Sequence, residues 1–366
     1  EIEGVTVLIY EQVCAAEKRR RRKRGIIVDP PRRIFINDQV CEGCGDCGVK
    51  SNCLSVMPLE TEFGRKRMID QSSCNKDYSC VNGLCPSFVS VIGGELKKNV
   101  SISKEKDEWG SLPEPELPKI KGTYNVVLSG VGGTGIVTIG ALLGMAAHIE
   151  KKGAGILDMF GIAQKGGAVI SHLRIGHTQE DIHSPRIASQ GADLVIGSDL
   201  VVTGSKKTLS IIKPGHTKLL VNSYELITGE FTQNADMLFP SLKIKQTIQE
   251  TAGNENAEFL DASRIATALI GDTIATNIFL VGYAYQRGLI PLEQSSIEQA
   301  IQINGVSVDS NLKAFLWGRR SAHNDRRVRE IIASYTEGSV QEESLDTLDK
   351  QIQHRVDVLK AYQNKA

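Results

Sequence analysis

Cysteine placement is the feature of this sequence that most constrains its fold. Seven of the eight cysteines lie between residues 41 and 85, and none follows. Two consecutive x2 spacings bring three thiolates from one tight loop onto neighbouring corners of a cuboidal iron–sulfur cluster, and a distant Cys-Pro supplies the fourth thiolate in bacterial-type ferredoxins. The spacing therefore predicts one [4Fe-4S] cluster, bound by Cys41, Cys44, Cys47 and Cys85, the last of which precedes a proline.

Three cysteines of the same region, Cys53, Cys74 and Cys80, are left over. In two-cluster ferredoxins the fourth cysteine of the first motif serves the second cluster, but the second motif here is one cysteine short. A second cluster therefore requires a three-iron site or a non-cysteine ligand such as Asp77. A zinc site is an alternative, although zinc does not require a third cysteine at this spacing. Disulfides need an oxidising compartment, and no signal peptide is visible, so we expect a cytoplasmic location.

A glycine-rich turn is the second informative motif. It follows a strand predicted at 124–129, precedes an apolar helix predicted from 136 to about 151, and contains Gly130, Gly132, Gly133 and Gly135. Such a turn lets a phosphate approach the backbone at a helix N-terminus. Asp158 ends the next predicted strand, 23 residues after Gly135, where an NAD-binding unit holds its ribose-binding acid. The same turn also allows a helix to pack tightly on its strand, so both interpretations stay open.

A second polar loop, residues 159–167, contains Gln164 and Lys165. It leads into a strand predicted at 168–175, where period-two alternation places His172 and Arg174 on one face. This pair could contact an anionic ligand or a partner subunit, or could decorate an edge strand.

Alternating strands and helices define the fold class. Further β-like runs occur at 193–197, 218–221 and 258–260, each followed by turn or helical sequence. From Ser263 onward the pattern is helical, ending in an amphipathic helix at 344–361. The sequence thus predicts an α/β domain with a Rossmann-like, mostly parallel sheet, flanking helices and a helical extension, preceded by a small α+β iron–sulfur module.

Charge and composition exclude several classes of protein. The chain has 43 basic and 43 acidic residues and is 41% hydrophobic, which fits neither a disordered nor a membrane protein. A basic run at 18–24 lacks interleaved aromatic residues, which argues against nucleic-acid binding. It suits an acidic electron-transfer partner or another subunit. An apolar run at 4–10 is predicted to be a strand.

Several motifs together resemble one enzyme family, indolepyruvate ferredoxin oxidoreductase of the long, fused type. The resemblance covers nearly the whole chain and is carried by Glu11-Gln-Val-Cys14, the Cys41–Cys47 motif, the Gly130–Gly135 turn, Ala163–His172, Ile303-Asn-Gly-Val and Ala314–Arg319. It implies that the chain is an internal segment of a longer protein. The implied parts are the tail of a thiamine-diphosphate domain (1–33), a ferredoxin-like domain (34–96), a linker (97–122), a gamma domain (123–320) and the helical start of a further domain (321–366).

The resemblance also implies a function. The family oxidatively decarboxylates an aryl 2-oxo acid to an acyl-CoA and passes electrons through iron–sulfur clusters to ferredoxin, with thiamine diphosphate and Mg²⁺ in the complete enzyme. No thiamine-binding signature occurs in this chain, so that site is expected elsewhere in the polypeptide or on another subunit of a homo-oligomer. The glycine-rich turn, with Gln164, Lys165 and Arg174, is the candidate contact for CoA or a subunit. No catalytic residue is assigned. The alternatives are an NAD-dependent iron–sulfur oxidoreductase subunit and a non-enzymatic, zinc-stabilised interaction module.

Overall fold

The computed structural model describes residues 4–9, 11–94, 109–161, 167–234, 236–336 and 347–363. Contacts divide the chain into two units, residues 1–323 and 324–366. Residues 4–9, expected to lie in a strand, have no β pairing. Val5 and Leu8 are fully or almost fully exposed. This prediction was wrong because an extended segment becomes a strand only where a neighbour satisfies its backbone hydrogen bonds.

Helix α1 (Ala15–Lys23) precedes a small α+β module made of two antiparallel strand pairs. Strand β1 (Arg32–Ile36) pairs with β4 (Phe88–Ile92), and β2 (Val56–Thr61) pairs with β3 (Gly64–Ile69). Helix α2 (Asp46–Ser51) lies between β1 and β2 in the chain. The module buries a small core that includes Cys41, and further cysteine side chains pack against it, namely Cys47, Cys53, Cys74 and Cys80.

A six-stranded sheet forms the α/β domain. Its strands are β5 (Thr123–Val131), β6 (Gly153–Phe160), β7 (Ala168–Gly176), β8 (Leu194–Gly197), β9 (Lys218–Asn222) and β10 (Ala257–Leu260). They lie in the order β10-β9-β8-β5-β7-β6. The predicted strands are confirmed, and the first four in this order are parallel.

Three of the five strand pairings are parallel, so the prediction of a mostly parallel sheet is confirmed, and β7 is the exception. Strand β7 pairs antiparallel with both β5 and β6, so the sheet is mixed. Strand β7 runs antiparallel to β6 because only residues 161–167 connect the two strands, whereas a parallel crossover needs a dozen or more residues. Because β7 pairs with β5 on one side and with β6 on the other, it lies inside the sheet. The interpretation of His172 and Arg174 as decoration of an edge strand was therefore wrong.

Helices cover the sheet and continue after it. Helix α3 (Ile136–Ile149) follows the glycine-rich turn. The shorter α4 (Leu200–Thr203), α5 (Lys206–Leu209) and α6 (Glu230–Gln233) come next, then α7 (Ser241–Ala252). The helices predicted after Ser263 are present as α8 (Ala262–Ile270), α9 (Thr276–Gln286), α10 (Gln294–Asn304) and α11 (Val308–His323). Helix α9 is buried along nearly its whole length.

The described part of the predicted linker, residues 109–122, is anchored to these helices. The Tyr285 hydroxyl donates to the Glu114 carboxylate at 2.7 Å, and Arg319 forms an ion pair with the same carboxylate at 3.2 Å. Arg319 is only 3% exposed and also donates to Gln286. A buried guanidinium needs such partners, so this segment is held in place. Residues 97–108 lie outside the described ranges.

The second unit contains α12 (Asp325–Thr336) and α13 (Leu348–Gln363). Exposed i,i+4 ion pairs such as Arg329–Asp325 lie along α12. The amphipathic helix predicted at 344–361 corresponds to α13, although residues 344–346 are outside the described ranges. Within these ranges, every helix is too short or too polar to span a bilayer.

Candidate functional site

The first cysteine loop, residues 41–47, wraps tightly around its own thiols. Gly43 and Gly45 have φ of 75° and 82°, in the left-handed region that glycine adopts readily. The Gly43 N–H donates to Cys41 Sγ at 3.4 Å, and Cys41 is buried. Burial raises the pKa of Cys47, and the thiols of Cys41 and Cys44 add to the rise. The three cysteines therefore lie on one tightly wound loop, and their role as cluster ligands stays a prediction.

The second cysteine loop, residues 74–80, contains Cys74 and Cys80, and Cys53 lies near it. Burial, followed by the neighbouring thiols of Cys53 and Cys74, raises the pKa of Cys80 to about 12, and the nearby Asp77 carboxylate acts in the same direction. The Lys76 N–H donates to Cys74 Sγ at 3.4 Å. Cys53 therefore lies near Cys74 and Cys80, the three cysteines for which the sequence leaves a second cluster open.

Cys85 is exposed and lies 3.0 Å from the Ser87 hydroxyl. Its segment is joined to the first loop through Asn37. The Asn37 N–H donates to the Ser87 carbonyl at 2.8 Å, and the Asn37 carbonyl accepts from the Cys41 N–H at 2.9 Å. Cys85 therefore belongs to a segment that is hydrogen-bonded to the first loop, although no direct contact joins its thiol to Cys41, Cys44 or Cys47 in the interactions described.

Within the described ranges, no three or more His, Cys, Asp or Glu side chains are close enough to hold a metal ion. A single zinc ion draws four ligands to roughly 2.0–2.3 Å from one centre. The thiols of each loop are near enough to influence one another electrostatically, yet they are not gathered around one such point.

Arg67 is a site residue that sequence reasoning missed. It is 2% exposed, lies over the Phe231 ring at 5.0 Å and opposes the rise in the pKa of Cys47. Strand β3 carries the run Arg65-Lys66-Arg67, and nothing in that run distinguishes the buried cation from its neighbours. Burial of Arg67 depends on α6 of the α/β domain, which packs on the cysteine module. There the Thr232 hydroxyl donates to Asn52 Oδ1 at 2.8 Å.

A cavity of about 190 Å³ lies beside Cys74, and the cations among its lining residues outnumber the carboxylates. Part of the basic run at 18–24 reaches it. Arg19 donates to the Ser73 carbonyl at 2.7 Å, and Arg22 donates to the Asn75 carbonyl at 2.6 Å. The basic run is thus partly packed on the second cysteine loop. The other charged lining residues are Arg33, Lys76, Asp29 and Asp272.

The glycine-rich turn fits close helix packing. A Cβ on Gly130 would lie 2.6 Å from Ile136 Cδ1, so a side chain here would require Ile136, at the start of α3, to shift. Gly133 and Gly135 have φ of 86° and 100°. The Gly132 N–H donates to the Gly167 carbonyl at 2.8 Å and is not directed to solvent. Two other predicted site residues, Gln164 and Lys165, lie outside the described ranges.

Arg174 and Asp158 have positions that the motif alone did not reveal. The guanidinium of Arg174 donates to Asn125 Oδ1 at 2.9 Å, the Ser184 carbonyl at 2.7 Å and the Thr123 hydroxyl at 2.9 Å, which is a structural role. Asp158 lies on β6, which β7 separates from β5. A dinucleotide-binding unit places its acid on the strand next to the glycine-rich turn, so the topology differs from that arrangement.

His172 is buried, at 1% exposure. Its Nδ1 accepts a hydrogen bond from the Ile187 N–H at 3.0 Å, so protonation there would break that bond. The Nε2 atom is buried and has no hydrogen-bond partner. His172 is therefore a core residue of the domain.

Acidification is expected to destabilise the α/β domain through His172. Burial, followed by the positive charge of Arg186, lowers the pKa of His172 from its ordinary 6.5. Below about pH 6.5 the unfolded chain binds a proton at this histidine that the folded chain does not bind. The free energy of unfolding therefore falls as pH decreases toward the folded pKa, by up to about 1.4 kcal/mol per pH unit. Urea unfolding at about pH 7.5 and 5.5 should show a smaller pH effect in His172→Gln than in the wild type. Equal pH effects in the two proteins would contradict this assignment.

Comparison with known proteins shows the family. The model of the family described as pyruvate ferredoxin/flavodoxin oxidoreductase matches residues 125–321, more than half of the chain. The chain belongs to this family. The prediction of a 2-oxoacid:ferredoxin oxidoreductase segment is thereby confirmed.

Individual relatives have low sequence identity. The chain is similar to the indolepyruvate oxidoreductase subunits IorB of Thermococcus kodakarensis (28% identical) and Pyrococcus horikoshii (29% identical), each over 54% of this chain and 96% of the relative. Among solved structures, it is similar to the gamma subunit of a keto/oxoacid ferredoxin oxidoreductase from Geobacter sulfurreducens. That match has 22% identity and a TM-score of 0.39 and covers 55% of this chain and 98% of the other.

Proposed function

We propose that this chain is the electron-transfer and gamma segment of an oxidoreductase that acts on indolepyruvate or a related aryl 2-oxo acid, with CoA as acyl acceptor and ferredoxin as electron acceptor. The family membership supports the reaction class, and the names of the curated relatives support the aryl substrate. The observation that carries the electron-transfer role is the tight left-handed wrap of the loop that contains Cys41, Cys44 and Cys47, with Gly43 and Gly45 at positive φ and the Gly43 N–H donating to Cys41 Sγ.

The residues of this loop fit a [4Fe-4S] cluster. Thiolates are the ligands that such clusters take, and a cuboid places its irons at separate corners, which suits thiols that are close but not gathered at one point. The fourth ligand of this site is Cys85. When bound, the cluster accepts and releases single electrons.

Arg67 is a charge partner for this site. A thiolate-bound cluster is anionic, and a buried guanidinium close to Cys47 offsets that charge where water cannot. Hydrogen bonds and burial around the sulfurs likewise tune the reduction potential of a cluster. The hydrogen bond from the Gly43 N–H to Cys41 Sγ is one hydrogen bond of this kind.

The decarboxylation chemistry belongs to thiamine diphosphate, with Mg²⁺, and the residues described here include no site for it. We assign that site to other sequence or another subunit, with this chain's gamma domain as scaffold and residues 1–33 as the end of the thiamine domain. Gln164 and Lys165, together with the glycine-rich turn, remain the candidates for CoA or subunit contact.

The acceptor is expected to dock at the cationic cavity beside Cys74. The cations Arg19, Arg22, Arg33 and Lys76 line it, and a positive patch steers an acidic partner such as ferredoxin. Such attraction weakens as salt rises, because salt screens exposed charges.

Iron and sulfide analysis of the anaerobically purified chain tests the electron-transfer role. Replacing Cys44 with serine should remove about four irons and four sulfides per chain, because one thiolate of the first cluster is lost. It should also remove one component of the EPR spectrum of the dithionite-reduced protein. Cys14→Ser is the matched control, since Cys14 lies on α1's N-terminal side, outside both loops. A wild-type chain with zinc and no sulfide would overturn the proposal.

A further inference from the structure

The two cysteine loops repeat one pattern of backbone hydrogen bonds. The Cys41 N–H donates to the Asn37 carbonyl at 2.9 Å, and the Cys74 N–H donates to the Asp70 carbonyl at 3.1 Å. The two residues that accept these bonds are also equivalent in a second respect. The Asn37 N–H donates to the Ser87 carbonyl, and the Asp70 N–H donates to the Ser55 carbonyl, each at 2.8 Å.

The backbone also turns in the same way in both loops. In the first loop Gly43 and Gly45 have positive φ, and in the second loop Lys76 and Tyr78 do, at 51° and 62°. Residues other than glycine seldom adopt this conformation. The N–H of the first residue in each pair donates to the preceding cysteine sulfur at 3.4 Å. The second loop therefore retains the wrap without the glycines that make it easy.

These equivalences align the loops residue by residue. Asn37 corresponds to Asp70 and Ser87 to Ser55, so the cysteines two residues before those serines, Cys85 and Cys53, also correspond. The remaining pairs are Cys41 with Cys74, Cys47 with Cys80, and Cys44 with Asp77. Every ligand position of the first site thus has a thiol counterpart in the second, except that an aspartate replaces Cys44.

We propose that Cys53, Cys74 and Cys80 bind a second iron–sulfur cluster and that the Asp77 carboxylate is its fourth ligand. The inference rests on the proposed function and adds to it the ligand that the sequence lacks. Asp77 is exposed, as Cys44 is, so both stand at the outer corner of their loops.

The Asp77 side chain is held in a defined orientation. Its Oδ1 accepts hydrogen bonds from the Ser79 N–H at 3.1 Å and the Ser79 hydroxyl at 2.9 Å. Both bonds go to one oxygen, which leaves Oδ2 to bind iron. A carboxylate is a harder ligand than a thiolate and is less suited to iron–sulfur clusters. The iron at this corner is therefore the one most easily removed.

Changing Asp77 tests the assignment through composition and spectrum, independently of enzyme activity. The wild-type chain should contain about eight irons and eight sulfides in two clusters. In Asp77→Asn, whose amide oxygen can still accept both bonds from Ser79, about one iron in eight should be lost without loss of sulfide. The oxidised protein should then show the EPR signal of a three-iron cluster. Asp77→Cys should retain all the iron.

Asp46→Asn is the matched control, because Asp46 is an exposed acid of the first loop that pairs with Lys50. It should leave iron and sulfide unchanged. Unaltered iron and spectra in Asp77→Asn would overturn the inference. So would a wild-type chain with about four irons, all lost in Cys44→Ser, although the proposed function would then stand. A chain without sulfide would overturn both.

Discussion

Replacing Gly43 with alanine is expected to disrupt the first cysteine loop and remove the cluster that we propose it binds. A Cβ at this position would lie 2.2 Å from the Arg65 carbonyl oxygen. That oxygen is backbone in the β2–β3 hairpin, so it cannot move aside alone. Strain at φ of 75° adds about 1–2 kcal/mol, and the overlap brings the total to about 3 kcal/mol or more. Iron analysis should show at least half of the iron lost, with a lower urea midpoint for the module.

Gly64→Ala separates the two contributions. Gly64 also has positive φ, 85°, but a Cβ there meets nothing within 4 Å. This variant should incur only the backbone strain, about 1–2 kcal/mol, and keep its iron. If Gly43→Ala behaves like Gly64→Ala, contact of the loop with the hairpin is not what positions the thiols.

Replacing Gly318 with alanine is expected to destabilise the α/β domain strongly. Its Cβ would lie 2.0 Å from the Phe279 carbonyl oxygen on the facing helix α9. Gly282 has the reciprocal relation to the Phe315 carbonyl oxygen, also at 2.0 Å, so α9 and α11 meet backbone to backbone. Alanine favours a helix over glycine by about 1 kcal/mol, but forcing two packed helices apart costs about 3 kcal/mol or more. The overlap therefore dominates.

Lys313→Ala on the same helix is the control. Lys313 is exposed, and surface changes usually alter stability by less than about 0.5 kcal/mol. Denaturant unfolding followed by circular dichroism should show a clearly lower midpoint for Gly318→Ala and little change for Lys313→Ala. Equal midpoints would mean that the helix contact can relax without loss of stability.

Much of the architecture was readable from local patterns. The six strands of the main sheet, the helix after the glycine-rich turn and the change to helices near residue 263 were all predicted correctly, because each depends on the hydrophobicity of a short segment. The order of the strands in the sheet was not predicted from the sequence, because it depends on which distant segments pair with one another. The placement of β7 between β5 and β6 turned His172 from a candidate surface residue into a core residue.

Burial of charge was likewise invisible in the sequence. Arg67 and Arg319 look like surface cations among neighbours of the same type, yet each is buried by elements distant in the chain, α6 for Arg67 and the Glu114 segment for Arg319. The sequence also offered Arg174 as a ligand contact, and three structural hydrogen bonds occupy its guanidinium instead.

The sequence by itself determined that Cys41, Cys44 and Cys47 lie on one short glycine-containing loop, and from their spacing it predicted the kind of chemistry that we propose. It also suggested Asp77 as a ligand without a reason to prefer it. Only the tertiary structure supplied that reason, by aligning Asp77 with Cys44 through hydrogen bonds from segments far apart in the chain. Spacing constrains what one loop can do, whereas equivalence between two loops exists only once both are folded against their own partners.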